Sequence, residues 1–258
     1  MFQLELYVHG LFVALSLAVV VWLVSVAKRD VSIVDSMWSI FFLVMATLYL
    51  HESPDPGQRG YLLLFLVSLW AFRLSFFITR RNWKEPEDRR YQAIRADHEP
   101  HFWLKSLLIV FGLQAVLAWI ISLPLHGTMT SAAPLGWLDA LALLLWAIGF
   151  GFEAIGDQQL ARFKADAANA GQVMDQGLWR YTRHPNYFGE ACLWWGYYLF
   201  AVAAGAWWSF PAPILMTILL LRVSGVALLE KDISARRPAY QDYIRRTSAF
   251  IPLPPKTL

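Results

Sequence analysis

The sequence predicts an all-α, polytopic membrane protein of about seven transmembrane helices, and three observations carry that prediction. Hydrophobic residues make up 57% of the 258 positions and Asp, Glu, Lys and Arg only 16%, too few polar groups to clothe a water-soluble chain of this size. Apolar runs of spanning length, about 20 residues each, recur from one end of the chain to the other. Lys and Arg gather in alternate connections between those runs, as the positive-inside rule requires of a multi-pass protein.

The runs fall at roughly 7–27, 31–50, 60–79, 104–125, 135–160, 187–204 and 208–229, followed by a tail, 230–258. No connection is long enough to form a soluble domain, and the chain reads as one integral membrane domain over 1–258. The first run has no basic segment before it and no small-residue cleavage site after it, so it is expected to be a retained helix. Lys28 and Arg29 follow that run, and Arg80, Arg81, Lys84, Arg89, Arg90, Arg95 and Lys105 follow the third. Arg162, Lys164, Arg180 and Arg183 follow the fifth, and Lys231, Arg236, Arg237, Arg245, Arg246 and Lys256 follow the seventh. Together these are 19 of the 22 basic residues, all on one side of the predicted membrane. That side is the cytoplasm by the same rule, which puts the N-terminus outside and the C-terminus inside. The net charge of +3 is then explained by Lys and Arg facing anionic lipid, and it calls for no nucleic acid and no obligate protein partner.

The single Cys192 excludes an internal disulfide and suits helix packing. His98 and His101 lack a third convincing ligand, so no metal is expected. The outer connections HESPDPGQRG and LPLHGTMTSAAPLG are short and rich in Pro and Gly, which directs any chemistry to the longer, charged cytoplasmic side.

Ionisable groups inside a span cost about 2.5–3.5 kcal/mol at its centre and are functional candidates by default. Asp35, Arg73, Glu153, Asp157, Glu190 and Arg222 all lie within predicted spans, and all but Arg222 lie in the cytoplasmic half. Glu153 and Asp157 are four residues apart and share a helix face, as do Asn186 and Glu190. Two readings follow. The charges line a polar cavity open to the cytoplasm, or they pair to hold the bundle together, Asp35 or Glu190 with Arg73 or Arg222.

The most specific string is GLWRYTRHPNYFGE, residues 177–190. It sets Trp179, Arg180, Tyr181, Arg183, His184, Asn186 and Tyr187 around a Pro that opens a helix. A helix N-terminus flanked by arginines is an anion site, and cofactor phosphates are the obvious anion.

With this string and the later YQDYIRRTSAFIPLPP, the chain resembles the steroid 5α-reductase C-terminal domain superfamily, and within it the bacterial members known only as a domain of unknown function. VSIVDSMWS at the second run extends the resemblance over nearly the whole chain, and it is specific from about Glu153 onward. The resemblance implies a seven-helix enzyme of the bacterial inner membrane. Such an enzyme takes NADPH from the cytoplasm and reduces an activated carbon–carbon double bond in a lipid or steroid-like substrate entering from the bilayer. It implies that Asp157, Asn186, Glu190 and Arg222 contact NADPH and that Lys164 stands where the steroid reductases carry an arginine. Glu153, Trp179, Tyr181, Arg183, His184, Tyr187, Glu230 and Tyr243 complete the implied cofactor set. On the substrate side, Asp35 takes the place of the reductases' carbonyl-holding glutamate, and Trp70 falls where their tyrosine would be. An indole N–H is a hydrogen-bond donor but a very poor acid. The pattern RHPxYxG also resembles the isoprenylcysteine and phospholipid methyltransferases, which use S-adenosylmethionine; those enzymes usually carry two adjacent acids, whereas Glu230 is followed by Lys231. A non-catalytic scaffold or transporter is the third reading.

Overall fold

A computed structural model describes residues 2–223, 225, 226, 230 and 239–256, and its elements are helices. They form two compact units, Met1–Leu135 with Phe200–Ser209, and Gly136–Leu199 with Phe210–Leu258.

The first unit is built from α1 (Leu4–Lys28), α2 (Ile33–His51), α3 (Gln58–Asn82), α4 (Arg89–His98), α5 (Phe102–Ile121) and α6 (Leu123–Met129). Helix α2 packs against α1, α3 and the C-terminal half of α5, and its Val34, Phe41, Phe42, Met45 and Tyr49 are completely buried. Inside this packing the Ser39 hydroxyl donates to the Ala71 carbonyl at 2.9 Å, a bond from α2 to α3 that lipid cannot replace. The opposite faces are apolar and open: Phe12, Val20 and Leu23 on α1, and Phe65, Phe72 and Phe76 on α3, stand exposed. Exposed apolar faces this extensive belong in a bilayer.

The second unit comprises α7 (Trp137–Ala165), α8 (Pro185–Ala203), α9 (Pro211–Ile218, continued by a π-helical turn Leu219–Val223) and α10 (Ala239–Arg246). Among the described residues, five helices are long and apolar enough to cross a membrane, α1, α2, α3, α5 and α7. The protein is therefore a multi-pass helical membrane protein. The expected run 187–204 corresponds to α8, whose 19 residues suffice in length but include Asn186, Glu190, Trp194, Trp195, Tyr197 and Tyr198, which lower its apolarity. The expected run 208–229 is an apolar helix over Trp207–Val223. The end of that run, and Lys231, Arg236 and Arg237 of the tail, lie outside the described residues.

Two elements depart from the expected pattern. The segment read as the outer connection LPLHGTM forms α6, with Pro124 in its first turn, where a missing N–H costs nothing, and with Pro124–Met129 buried. His126 holds it in place: its Nε2 bonds the Gln3 carbonyl at 3.1 Å, and its ring sits among Phe2, Tyr7 and Tyr49. Helix α4 forms within the charged connection after α3, capped by Asp88, which accepts from the Arg90 backbone N–H at 2.9 Å.

Candidate functional site

In the second unit α7 and α8 touch backbone to backbone. A Cβ at Gly189 would lie 2.5 Å from the Glu153 nitrogen and the Gly149 carbonyl, and one at Gly149 would lie 2.5 Å from the Gly189 carbonyl. Ala142, Gly149 and Gly156 recur every seven residues along α7, and Gly189 and Gly196 do so along α8, so small residues stay on the shared face for about two turns per step. Cys192 packs into the same seam beside Gly149. This close approach is what brings the α7 acids toward the start of α8. Asn186 Nδ2 donates to Asp157 Oδ1 at 3.3 Å, with Glu153 and Asp157 both buried. The Asn186 side-chain oxygen is buried and has no hydrogen-bond partner among the described residues. Glu190 lies one turn further along α8, half-buried.

The 177–190 string is anchored to this pair of helices and to the C-terminal segment. Trp179 Nε1 donates to the Gly156 carbonyl at 3.0 Å, and the Leu178 N–H donates to Gln159 Oε1 at 3.0 Å. Thr182 bridges to Ser248 in parallel, and its hydroxyl donates to the Phe250 carbonyl at 2.8 Å. Tyr243 of α10 donates to the Trp179 carbonyl.

Arg183 is the centre of these bonds. Its Nε and one Nη reach the two Glu230 oxygens at 2.7 and 2.9 Å, and the other Nη donates to the Ile244 and Thr247 carbonyls. His184 Nε2 is 2.9 Å from the same carboxylate. Burial by itself would raise the Glu230 carboxyl, but hydrogen bonds from His184 and Arg183 and the Arg183 charge outweigh it and hold it down at about 2. With most of its donors committed, the Arg183 guanidinium is a clamp between the motif and the C-terminal segment.

The remaining implied cofactor residues are more open. Lys164 is exposed in the last turn of α7, and Arg222 is exposed in the π-helical turn. Tyr181 is 43% exposed, and Tyr187 stacks on His184 with ring centres 5.5 Å apart.

In the first unit Asp35 occupies the first turn of α2, where the helix dipole favours a negative charge. Its two oxygens accept from the Tyr91 hydroxyl at 2.6 Å and from Arg90 at 2.7 Å, both on α4. Among the described residues Asp35 thus pairs with Arg90, a partner that the sequence reading did not weigh. Gln114 of α5 donates to the Tyr91 oxygen at 3.2 Å. Burial, with the Asp35 carboxylate beside it, pushes the Tyr91 phenol well above its ordinary range, so it stays protonated at neutral pH. The connection before α4 docks on the start of α2: Glu87 accepts from the Val31 N–H at 2.9 Å and the Asp88 N–H donates to Ser32 at 2.7 Å. Trp70 is completely buried against Phe42.

Residues 21–247 match the family described as Protein of unknown function (DUF1295). The chain belongs to that family. It is also 25% identical, over 95% of its own length and 79% of the relative's, to a Schizosaccharomyces pombe (strain 972 / ATCC 24843) protein named Uncharacterized protein C594.04c. No solved structure matches the chain. In this DUF1295 protein, Tyr91 is the partner of Asp35 that the sequence alone did not single out. The one signal for it is a phenol set among arginines in RRYQAIR, which points equally well to a solvated loop.

Proposed function

We propose that this protein is an NADPH-dependent reductase that acts on an activated carbon–carbon double bond in a hydrophobic lipid or steroid-like substrate. The observation that carries the reading is the pair Asp157 and Asn186 at the glycine seam, with the Asn186 oxygen buried and unpartnered among the described residues. A buried acceptor without a donor is costly unless a ligand supplies one, and a carboxamide or adenine amine is such a donor. The residues present therefore fit a dinucleotide. Asn186, Asp157, Glu153 and Glu190 offer it acceptors, Arg222 and Lys164 offer its phosphates charge, and the Tyr181 and Tyr187 rings offer flat apolar faces. When bound, NADPH supplies the hydride. Arg183, His184, Glu230 and Tyr243 serve the site by holding its loop. For the substrate, the reading keeps Asp35 and Trp70 and adds the protonated Tyr91, whose hydroxyl donates to Asp35.

Thermal unfolding of the detergent-purified protein tests the cofactor. A ligand that binds only the folded state stabilises by about 2.7 kcal/mol at 100 times its Kd. NADPH is expected to raise the Tm, and stabilisation by S-adenosylmethionine alone would replace this reading with a methyltransferase. Glu190→Gln and Arg222→Ala are each expected to weaken NADPH binding by roughly tenfold or more, about 1.4 kcal/mol; near-wild-type affinity in both removes the site. Asp35→Asn is expected to depress turnover far more than NADPH affinity, and the reverse pattern would reassign Asp35 to the cofactor or to structure.

A further inference from the structure

A cavity of about 370 Å³ opens in the first unit where α1 ends, α2 begins and α3 ends. Its lining includes Lys28, Asp30, Ser36, Trp83, Lys84 and Glu85. Because α1, α2 and α3 are successive spans joined by short connections, these three helix ends share one level. Trp83 is 65% exposed there. Nearby in the unit, Trp22 stacks on Trp103 and donates to its carbonyl at 2.7 Å. Tryptophans and basic residues together mark the depth of lipid headgroups, so the cavity faces headgroups rather than acyl chains or bulk water.

The chemistry of the lining selects among headgroups. Lys28 and Lys84 provide two ammonium groups, and neither forms an ion pair with a described residue. Asp30 and Glu85 provide two carboxylates, so the charged lining is balanced. Balanced charge of both signs matches a zwitterion, with a phosphate against the lysines and a cationic amine against the acids. An anionic glycerol headgroup would bring no cation to Glu85 or to Asp30, one oxygen of which accepts from the Ser32 N–H at 2.9 Å and which also lies near Arg95. A quaternary choline has no N–H to give a carboxylate and is held by cages of several aromatic rings, whereas Trp83 is the one aromatic residue in this lining. A primary ammonium can donate to both acids. The volume lies in the range of about 300–1,000 Å³ usual for small-ligand sites.

We propose that this cavity is a binding site for the headgroup of phosphatidylethanolamine. The site is separate from the cofactor residues of the second unit, and it holds whether or not the reductase reading does. The lysines take the phosphate as point charges, the acids take the ammonium, and Trp83 borders the headgroup at the interface.

The test uses the full chain in detergent and reads the Tm with short-chain phosphatidylethanolamine, phosphatidylcholine or phosphatidylglycerol at equal concentration, and with free phosphoethanolamine and inorganic phosphate. Phosphatidylethanolamine is expected to raise the Tm by several degrees and the other two lipids by much less. Lys28→Gln/Lys84→Gln is expected to abolish that shift while leaving the lipid-free Tm close to wild type, since both side chains are exposed. Asp30→Asn/Glu85→Gln is expected to move the preference toward phosphatidylglycerol. A full shift retained in the lysine variant, or an equal shift with all three lipids, overturns the proposal. A full shift with free phosphoethanolamine or phosphate would make the cavity a site for a soluble anion and would overturn it as well.

Discussion

Arg183→Ala is expected to destabilise the second unit by about 3 kcal/mol, near the low end for a broken buried ion pair. The arginine side chain is 8% exposed and its Glu230 partner 17%, so the abandoned carboxylate recovers some hydration but not most of it. The Ile244 and Thr247 carbonyls lose their donor in the same step. Arg183→Lys should rescue little, because an ammonium cannot span two carboxylate oxygens and two carbonyls as the planar fork does. Chemical denaturation checks the stability, and limited proteolysis near Arg245 and Arg246 checks the release of the C-terminal segment. A variant that unfolds like wild type but loses NADPH would show that Arg183 holds a phosphate instead. The pH dependence has a defined sign. The Glu230 carboxyl sits at about 2 against an ordinary 4.5, so its contribution is complete above about 4.5 and is lost as pH falls toward 2.

The second large effect is expected at the α7–α8 seam. Gly189→Ala places a methyl group 2.5 Å from two backbone atoms, Glu153 N and Gly149 O, and neither can rotate away as a side chain would. The helices must separate, at about 1–3 kcal/mol for overpacking, and separation lengthens the Asp157–Asn186 contact at the proposed cofactor site. Loss of both stability and NADPH affinity is the expected result. Gly151→Ala is the control: nothing lies within 4 Å of its added Cβ, and alanine is the better helix former by about 1 kcal/mol. If the two variants unfold alike, the seam does not set the helix separation.

Much of the architecture was legible because lipid imposes it on composition. A helix that crosses a bilayer must be predominantly apolar, so α1, α2, α3, α5 and α7 appear in the sequence to within a few residues of their observed ends. Helix α6 was hidden because its evidence is tertiary. Pro124 and Gly127 read as loop residues until His126 is seen bonded to Gln3, 123 positions earlier. The same limit applies to the charges. Spacing placed Glu153 with Asp157 and Asn186 with Glu190, since i, i+4 is a local property of a helix, but it said nothing about partners. Asp35 finds Arg90 and Tyr91 some 55 residues away, and Arg183 finds Glu230 after 47.

By itself, then, the sequence determined the solvent of this protein, its helical class and the string of residues on which its chemistry is expected to centre, because hydropathy, helical period and local motif are readable along one dimension. The tertiary structure decided which of those residues are bonded into the fold itself. Arg183 and His184 read as anion ligands from their neighbours in sequence, and in the fold they serve as the clamp on Glu230 and the C-terminal segment. The physical reason is that a buried donor must be satisfied by whatever acceptor the packing brings to it, and packing joins residues that the chain keeps far apart.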